Sequence, residues 1–308
     1  MATRHGGLQA IGNTPMVRLT GIIEGDMAEV VVKLEAANPT GSYKDRMALA
    51  MIEGAERSGR LRPGQTVVEY TGGSTGSSLA FVCAIKGYPL RIVSSDAFAA
   101  EKIRTMRAYG ANVELLPSPE GITKDLVPRM MARAREIVAD TGGYPTDQFN
   151  NTDMVDGCLA LGRELAAQVD GQLDAFCTYV GTAGCFIGTA AGLRETIPDV
   201  ARVAIEPEES AVLSGRRPGT HRIEGGGVGF WPPQLKAELI DEVQTVSTDD
   251  AIAMARRMAR EVGVWGGPST GANLVVALRL AERLGPGHRV ATVQVDSGLK
   301  YLGGAVYS

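Results

Sequence analysis

Short runs of β-branched and apolar residues alternate along this chain with longer stretches whose apolar positions recur at helical spacing, and a turn rich in Gly, Ser or Thr separates one from the next. The runs at 30–34, 66–70, 90–94, 112–116, 175–180, 201–205 and 289–295 read as strands. The stretches at 45–58, 77–86, 99–108, 125–140, 157–168, 189–195, 249–261 and 272–284 read as helices. Strand followed by helix, repeated, implies an α/β fold with a parallel sheet covered by helices on both faces. The polar segment 142–151 reads as a domain boundary. Segment 214–233 is long and rich in Gly, Pro and Arg, and reads as either an active-site loop or a surface excursion. No internal repeat or low-complexity tract stands out.

Composition narrows the class. A chain of 308 residues has room for two domains, or one large α/β unit, with a cleft between layers. Apolar content of 44% and charged content of 21% are those of an ordinary globular protein. Lys and Arg number 31 against 35 Asp and Glu, a net charge of -4, with no basic stripe interleaved with aromatics, so no nucleic-acid partner is expected. The opening residues lack a signal-peptide pattern and no uncharged apolar stretch reaches the ~20 residues of a membrane span, so the expectation is a cytoplasmic protein with no membrane contact. Cys83, Cys158, Cys177 and Cys185 are scattered, without a CxxC pair or a histidine at ligand spacing, which predicts buried reduced thiols and no metal site.

Chemistry gathers at four strand-to-helix junctions: NPTGSYKDR (38–46), EYTGGSTGSS (69–78), VGTAGCFIGT (180–189) and GGPSTGAN (266–273). In open α/β sheets, ligands bind beyond the carboxyl ends of strands, where such junctions meet. The small residues of 180–189 let backbone N–H groups approach an anion at a helix start, which makes this junction a candidate phosphate cradle. It is neither a P-loop nor a regular dinucleotide fingerprint, because no GK[ST] follows and Ala183 breaks the glycine spacing. The junction at 71–78 has the same build and suits a carboxylate, although an ordinary N-cap with glycine turns explains it equally well. Lys44 stands just inside a helix start. A lone lysine there is ordinarily a solvated surface residue, but the Pro39, Gly41, Ser42 turn aims it back toward the strand ends, and a lysine in a dry pocket deprotonates and forms Schiff bases.

IGNTPMVRL, NPTGSYKDR, TGGSTG, KIRTMRAYGA, DQFNN, VGTAG, VLSGRRPGTHRIEG, GPSTGAN and DSGLKYL follow one another across residues 11–303. In this order and spacing the chain resembles the cysteine synthase family of pyridoxal-phosphate enzymes, a group that includes cystathionine β-synthase and is related to the tryptophan synthase β subunit. The resemblance implies two domains, each a mostly parallel twisted sheet with helices on both faces, and pyridoxal 5'-phosphate in the cleft between them (fold type II). Residues 37–147 would form the smaller, mobile domain and 11–36 with 148–308 the larger. Lys44 matches the Schiff-base lysine that also moves the α-proton. Gly181, Thr182, Ala183, Gly184 and Cys185 fall on the phosphate loop, Ser74 on the residue meeting the ring hydroxyl, and Ser269 on the residue facing the pyridine nitrogen. Thr71, Gly72, Gly73, Thr75 and Gln148 fall where the family grips the substrate carboxylate.

A neutral hydroxyl such as that of Ser269 cannot hold the ring nitrogen protonated as a carboxylate would. That suits loss of a good leaving group from the β-carbon and suits transamination poorly. The implied activity is β-replacement on O-acetylserine or O-phosphoserine through an aminoacrylate, with sulfide or another nucleophile, in a homodimer acting on a small amino acid. A β-elimination lyase acting on serine or cysteine is the alternative, and a non-catalytic binding subunit a third. This chain departs from the family at the carboxylate loop, TGGSTG for TSGNTG, and at the phosphate loop, where Ala183 and Cys185 interrupt GTGGT. It also lacks the histidine that often follows QFSNP, and has Gly226 for an apolar residue. Arg216, Arg217 and Arg222 would meet a phosphorylated donor or, more simply, form a solvated basic loop.

Overall fold

The computed structural model describes residues 6–22, 25–123 and 125–308; residues 1–5, part of the opening stretch read above, lie outside them. Ten strands and eight α-helices are assigned within them. In order they are β1 (Met16–Arg18), β2 (Glu29–Leu34), α1 (Lys44–Arg57), β3 (Val67–Tyr70), α2 (Ser74–Lys86), β4 (Leu90–Ser95), α3 (Ala100–Ala108), β5 (Asn112–Leu116) and α4 (Leu126–Thr141). There follow β6 (Tyr144–Pro145), α5 (Asp153–Gln168), β7 (Ala175–Tyr179), α6 (Gly184–Arg194), β8 (Ala201–Pro207), β9 (Glu242–Val246), α7 (Thr248–Glu261), α8 (Pro268–Leu284) and β10 (Arg289–Gln294).

The strands make two sheets, one of six strands in the order β1-β2-β10-β7-β8-β9 and one of four in the order β5-β4-β3-β6. Pairing is parallel throughout except between β1 and β2. The period-2 rule of strands sends alternate side chains to opposite layers. Val31 packs with the core that contains α1, α2, α5 and α6, whereas Val30 and Val32 pack with α7 and α8 on the other face. In the smaller sheet Val67 joins the first core, and Val68 and Tyr70 pack against α4. Both sheets are therefore covered on both faces, which is why their strands read as continuous apolar runs. Fully buried Met47, Met51 and Ile52 fix α1 in the shared layer, each such side chain contributing about 1.5–3 kcal/mol.

Every strand and helix expected from the pattern is present, with shifted ends. Four helices begin well before the expected start: α2 at Ser74, α5 at Asp153, α6 at Gly184 and α8 at Pro268. Ser74, Thr75 and Gly76 open α2, Gly184 and Cys185 open α6, and Pro268, Ser269 and Thr270 open α8, residues of low helix propensity that tertiary packing holds in helix here. The short strands β1, β6 and β9 escape the pattern because each has partly exposed positions, and Pro145 sits where proline is tolerated, on the sheet edge.

Candidate active site

Three of the four junctions leave the carboxyl ends of parallel strands, whereas 266–273, expected to follow a strand, joins α7 to α8 and is tied in by the bridge from Gly266 to Ser297 beyond β10; contacts among the four define one cleft. The turn before Lys44 is tied to the end of β10: Tyr43 N donates to Val295 O (3.2 Å), Ser42 Oγ donates to Val295 O (3.2 Å), and Ser42 bridges to Asp296. Gly41 has φ +73° and an added Cβ there would lie 3.2 Å from Ser297 Cβ, so the turn needs a glycine for its backbone and for the space. Lys44 is the first residue of α1 and only 6% exposed. Its Nζ lies 4.9 Å from the Tyr43 ring centroid. Burial pushes its ammonium below the usual lysine range, while Cys158, Cys185, Glu69 and Asp296 oppose the shift. A desolvated amine of this kind is poised as a nucleophile.

Beyond β3, Thr71, Gly72 and Gly73 lead into α2 with Ser74 and Thr75 in its first turn. Thr75 Oγ1 donates to Gln148 Oε1 (2.8 Å), and Gln148 Nε2 donates to Tyr70 O (3.1 Å), so this segment and Gln148 are brought together as expected. Gly73 has no room for a side chain, since an added Cβ would fall 2.2 Å from Lys102 Cδ. Glu69, fully buried behind the loop, accepts from Thr146 Oγ1 (2.6 Å), Gln148 N (3.1 Å) and Tyr70 N (2.8 Å). Burial raises its carboxyl to about 7, against the opposing pull of these donors.

Beyond β7, the turn into α6 places Ala183 in the left-handed region at φ +70°. Gly181 carries the backbone of the long loop against it: an added Cβ would meet Gly225 O at 2.3 Å. Gly226 is equally constrained by Val180 O at 2.4 Å, which explains the missing side chain at that position. Gly225 also faces the last junction, where its added Cβ would lie 3.8 Å from Ser269 Oγ. Cys185 in the first turn of α6 and Cys158 on α5 share one buried core, a meeting their sequence spacing does not reveal. All four cysteines are buried and free, as expected.

Two buried hydroxyls in this cleft have no hydrogen-bond partner, Thr182 Oγ1 and Ser269 Oγ. Left so, each would cost roughly 1–3 kcal/mol, so they ask for a ligand or an ordered water. A phosphate at the N-terminus of α6 and a ring nitrogen beside α8 fit them, and the nearby lysine amine fits a carbonyl carbon. The residues present thus accommodate pyridoxal 5'-phosphate.

Other residues of the cleft carried no assignment from their local sequence. Asp296, 2% exposed, accepts from Ser74 Oγ (2.9 Å) and Tyr301 OH (2.8 Å) on the same oxygen. Lys102 Nζ donates to Glu224 Oε2 (2.6 Å) and Tyr301 OH (3.2 Å), joining α3 to the long loop. Phe98 packs on the space above Gly72. Lys102 lies in KIRTMRAYGA and Asp296 and Tyr301 in DSGLKYL, but those segments assign them no role, because their partners are distant in sequence, Ser74 and Asp296 being 222 positions apart. Arg216 and Arg217 are exposed, and Arg222 pairs with exposed Asp249 (2.9 Å). Among the described residues there is no group of three or more His, Cys, Asp or Glu able to hold a metal, and no helix long and apolar enough to cross a membrane.

Fold and site together define a two-sheet α/β protein with a cleft that brings a buried lysine amine together with unpartnered buried hydroxyls. The family described as pyridoxal-phosphate dependent enzyme matches residues 7–296. Cysteine synthase from Staphylococcus aureus is 42% identical over 302 residues, covering 97% of this chain and 96% of the relative. O-acetyl serine sulfhydrylase isoform 3 from Entamoeba histolytica superposes with TM-score 0.91 at 34% identity, over 98% of this chain and 91% of that one. A hydrogen sulfide-producing enzyme from Fusobacterium nucleatum superposes with TM-score 0.90 at 34% identity, over 96% and 99%. The chain belongs to the cysteine synthase family of pyridoxal-phosphate dependent enzymes. Its cofactor is pyridoxal 5'-phosphate and its fold is that of fold type II enzymes.

Proposed function

We propose that this enzyme catalyses β-replacement on an O-activated serine, O-acetylserine or O-phosphoserine, with sulfide or a related nucleophile. The observation that carries the reading is the pairing of a buried lysine amine with a buried, unpartnered and neutral hydroxyl at Ser269. Bound in the cleft, the cofactor supplies an electron sink for the pair left on the substrate α-carbon. With a neutral partner at its ring nitrogen that sink is modest, which favours expelling a β-leaving group over reprotonating the cofactor.

The residues divide the work. Lys44 Nζ holds the cofactor and afterwards takes the α-proton, a role its desolvation suits. Backbone N–H groups from Gly181 to Cys185, with Thr182 Oγ1, hold the phosphate. Ser269 faces the ring nitrogen and Ser74 the ring hydroxyl. Thr71, Gly72, Gly73 and Thr75, with Gln148 steadied by Thr75 and Glu69, grip the α-carboxylate and orient the α-proton toward Lys44. Residues 37–147 act as the smaller, moving domain against 11–36 and 148–308, and the enzyme works as a cytoplasmic homodimer, which sedimentation of the purified protein would test.

Purified enzyme given O-acetylserine and sulfide is expected to form cysteine, and Lys44→Ala to abolish it. Formation of no cysteine and no keto acid from O-acetylserine, O-phosphoserine or cysteine would overturn the reading. The likeness to the hydrogen sulfide-producing enzyme of Fusobacterium nucleatum favours a second reading, β-elimination from cysteine. Keto acid released from cysteine faster than cysteine forms from O-acetylserine would select it.

A further inference from the structure

Asp296 lies at the centre of the cleft and the chemistry described so far leaves it without a task. Its backbone bridges to Ser42, two residues before Lys44, and its charge acts on both Tyr43 and Lys44. One carboxylate oxygen takes the protons of Ser74 and Tyr301, while the other, Oδ1, is buried without a partner. The remaining charged groups around it are Lys300, which faces Asp296 and Asp45, and Lys102, already engaged with Glu224.

A serine hydroxyl has one proton and two lone pairs. At Ser74 the proton is given to a buried carboxylate, a charge-assisted bond roughly twice as strong as a neutral one. What Ser74 can show to the cleft is therefore its lone pairs. An asparagine at this position would show an N–H instead. Serine held by a carboxylate thus reverses the polarity of this contact, and the negative charge behind it disfavours a second anion in front of it.

We propose that Asp296 is a positioning residue that turns Ser74 into an acceptor, so that the ring hydroxyl of the cofactor stays protonated. The inference rests on Ser74 meeting that hydroxyl, as in the proposed function. It makes the electron sink weaker still than the neutral Ser269 alone, and so selects donors with good leaving groups.

The test is the absorption spectrum of substrate-free protein loaded with pyridoxal 5'-phosphate, its attachment to Lys44 verified by borohydride reduction and peptide mass. In the wild type the near-ultraviolet band of the protonated ring form is expected to exceed the visible band of the ring anion. Asp296→Asn offers Ser74 an N–H and frees its proton to turn toward the ring, and Ser74→Asn supplies an N–H directly. Each is expected to move the ratio of the two bands toward the visible by about fivefold or more, the equivalent of one hydrogen bond. A merely structural role would lower loading or stability and leave this ratio unmoved. A visible band dominant in the wild type, or an unchanged ratio in the loaded variants, overturns the proposal while the proposed function stands. Absence of any adduct on Lys44 overturns both. If Asp296→Asn fails to fold by circular dichroism, Ser74→Asn decides the question by the same ratio.

Discussion

Phe98 occupies the place where a side chain at Gly72 would project: an added Cβ would fall 2.6 Å from Phe98 Cε1 and 2.8 Å from its Cζ. The loss of a hydroxyl at position 72 is thus matched by a ring on the loop after β4. Gly72→Ser alone must displace that ring and is expected to destabilise the protein by about 1–3 kcal/mol. In a Phe98→Ala background the same change should cost far less, because space has been made. Urea unfolding of the two single variants and the double variant gives the coupling directly. Equal cost of Gly72→Ser in both backgrounds would show that the ring moves freely.

Arg46, two residues after Lys44, secures the start of α1. It is 5% exposed and forms ion pairs with Glu35 (2.7 Å) and Glu164 (2.7 Å), and Glu35 is wholly buried. Arg46→Met removes the cation but leaves the Glu35 charge buried, which costs about 3–5 kcal/mol. Adding Glu35→Gln should recover a good part of that loss, since the uncompensated charge is then gone. Unfolding midpoints of the single and double variants measure this, and a double variant no more stable than Arg46→Met would refute it.

How far the chain declares itself before folding depends on the length of the signal. Strands such as 30–34 and 289–295 are legible because both faces are buried, which makes the apolar run continuous. The early starts of α2, α6 and α8 are not, because Ser74, Gly184 and Ser269 resemble loop residues and are held in helix only by their surroundings. The same holds for the site. Lys44 and the four junctions are visible as motifs, and the structure brings them to one cleft. Asp296, Glu69 and Phe98 act through partners that sequence spacing does not connect, and Asp296 depends on a contact 222 residues away.

Glu69 predicts a pH dependence of stability. Its carboxyl is raised to about 7 in the fold by burial, above the ordinary value of 4.5, so the folded state holds a proton that the unfolded state has released between those values. Its contribution is therefore fully present below about pH 4.5 and is lost as pH rises through 7, a change of about 3 kcal/mol at most. Glu69→Gln carries no titrating proton and should flatten this part of the profile. Urea midpoints at intervals from pH 4.5 to 8 test it. Parallel profiles for the variant and the wild type would mean that Glu69 titrates normally.

The arginines of the long loop give a prediction about donor choice. Binding a phosphate dianion strongly requires a guanidinium withdrawn from water and fixed, whereas Arg216 and Arg217 are exposed. An exposed ion pair is worth about 1 kcal/mol or less, so Arg216→Ala and Arg217→Ala should each change kcat/KM for O-phosphoserine by no more than about fivefold. The change for O-acetylserine should match it, because nothing in the loop then reads the phosphate. Arg222, already paired with Asp249, should behave in the same way. A loss confined to O-phosphoserine and exceeding tenfold (~1.4 kcal/mol) would show instead that the loop carries a guanidinium into the cleft when that donor binds.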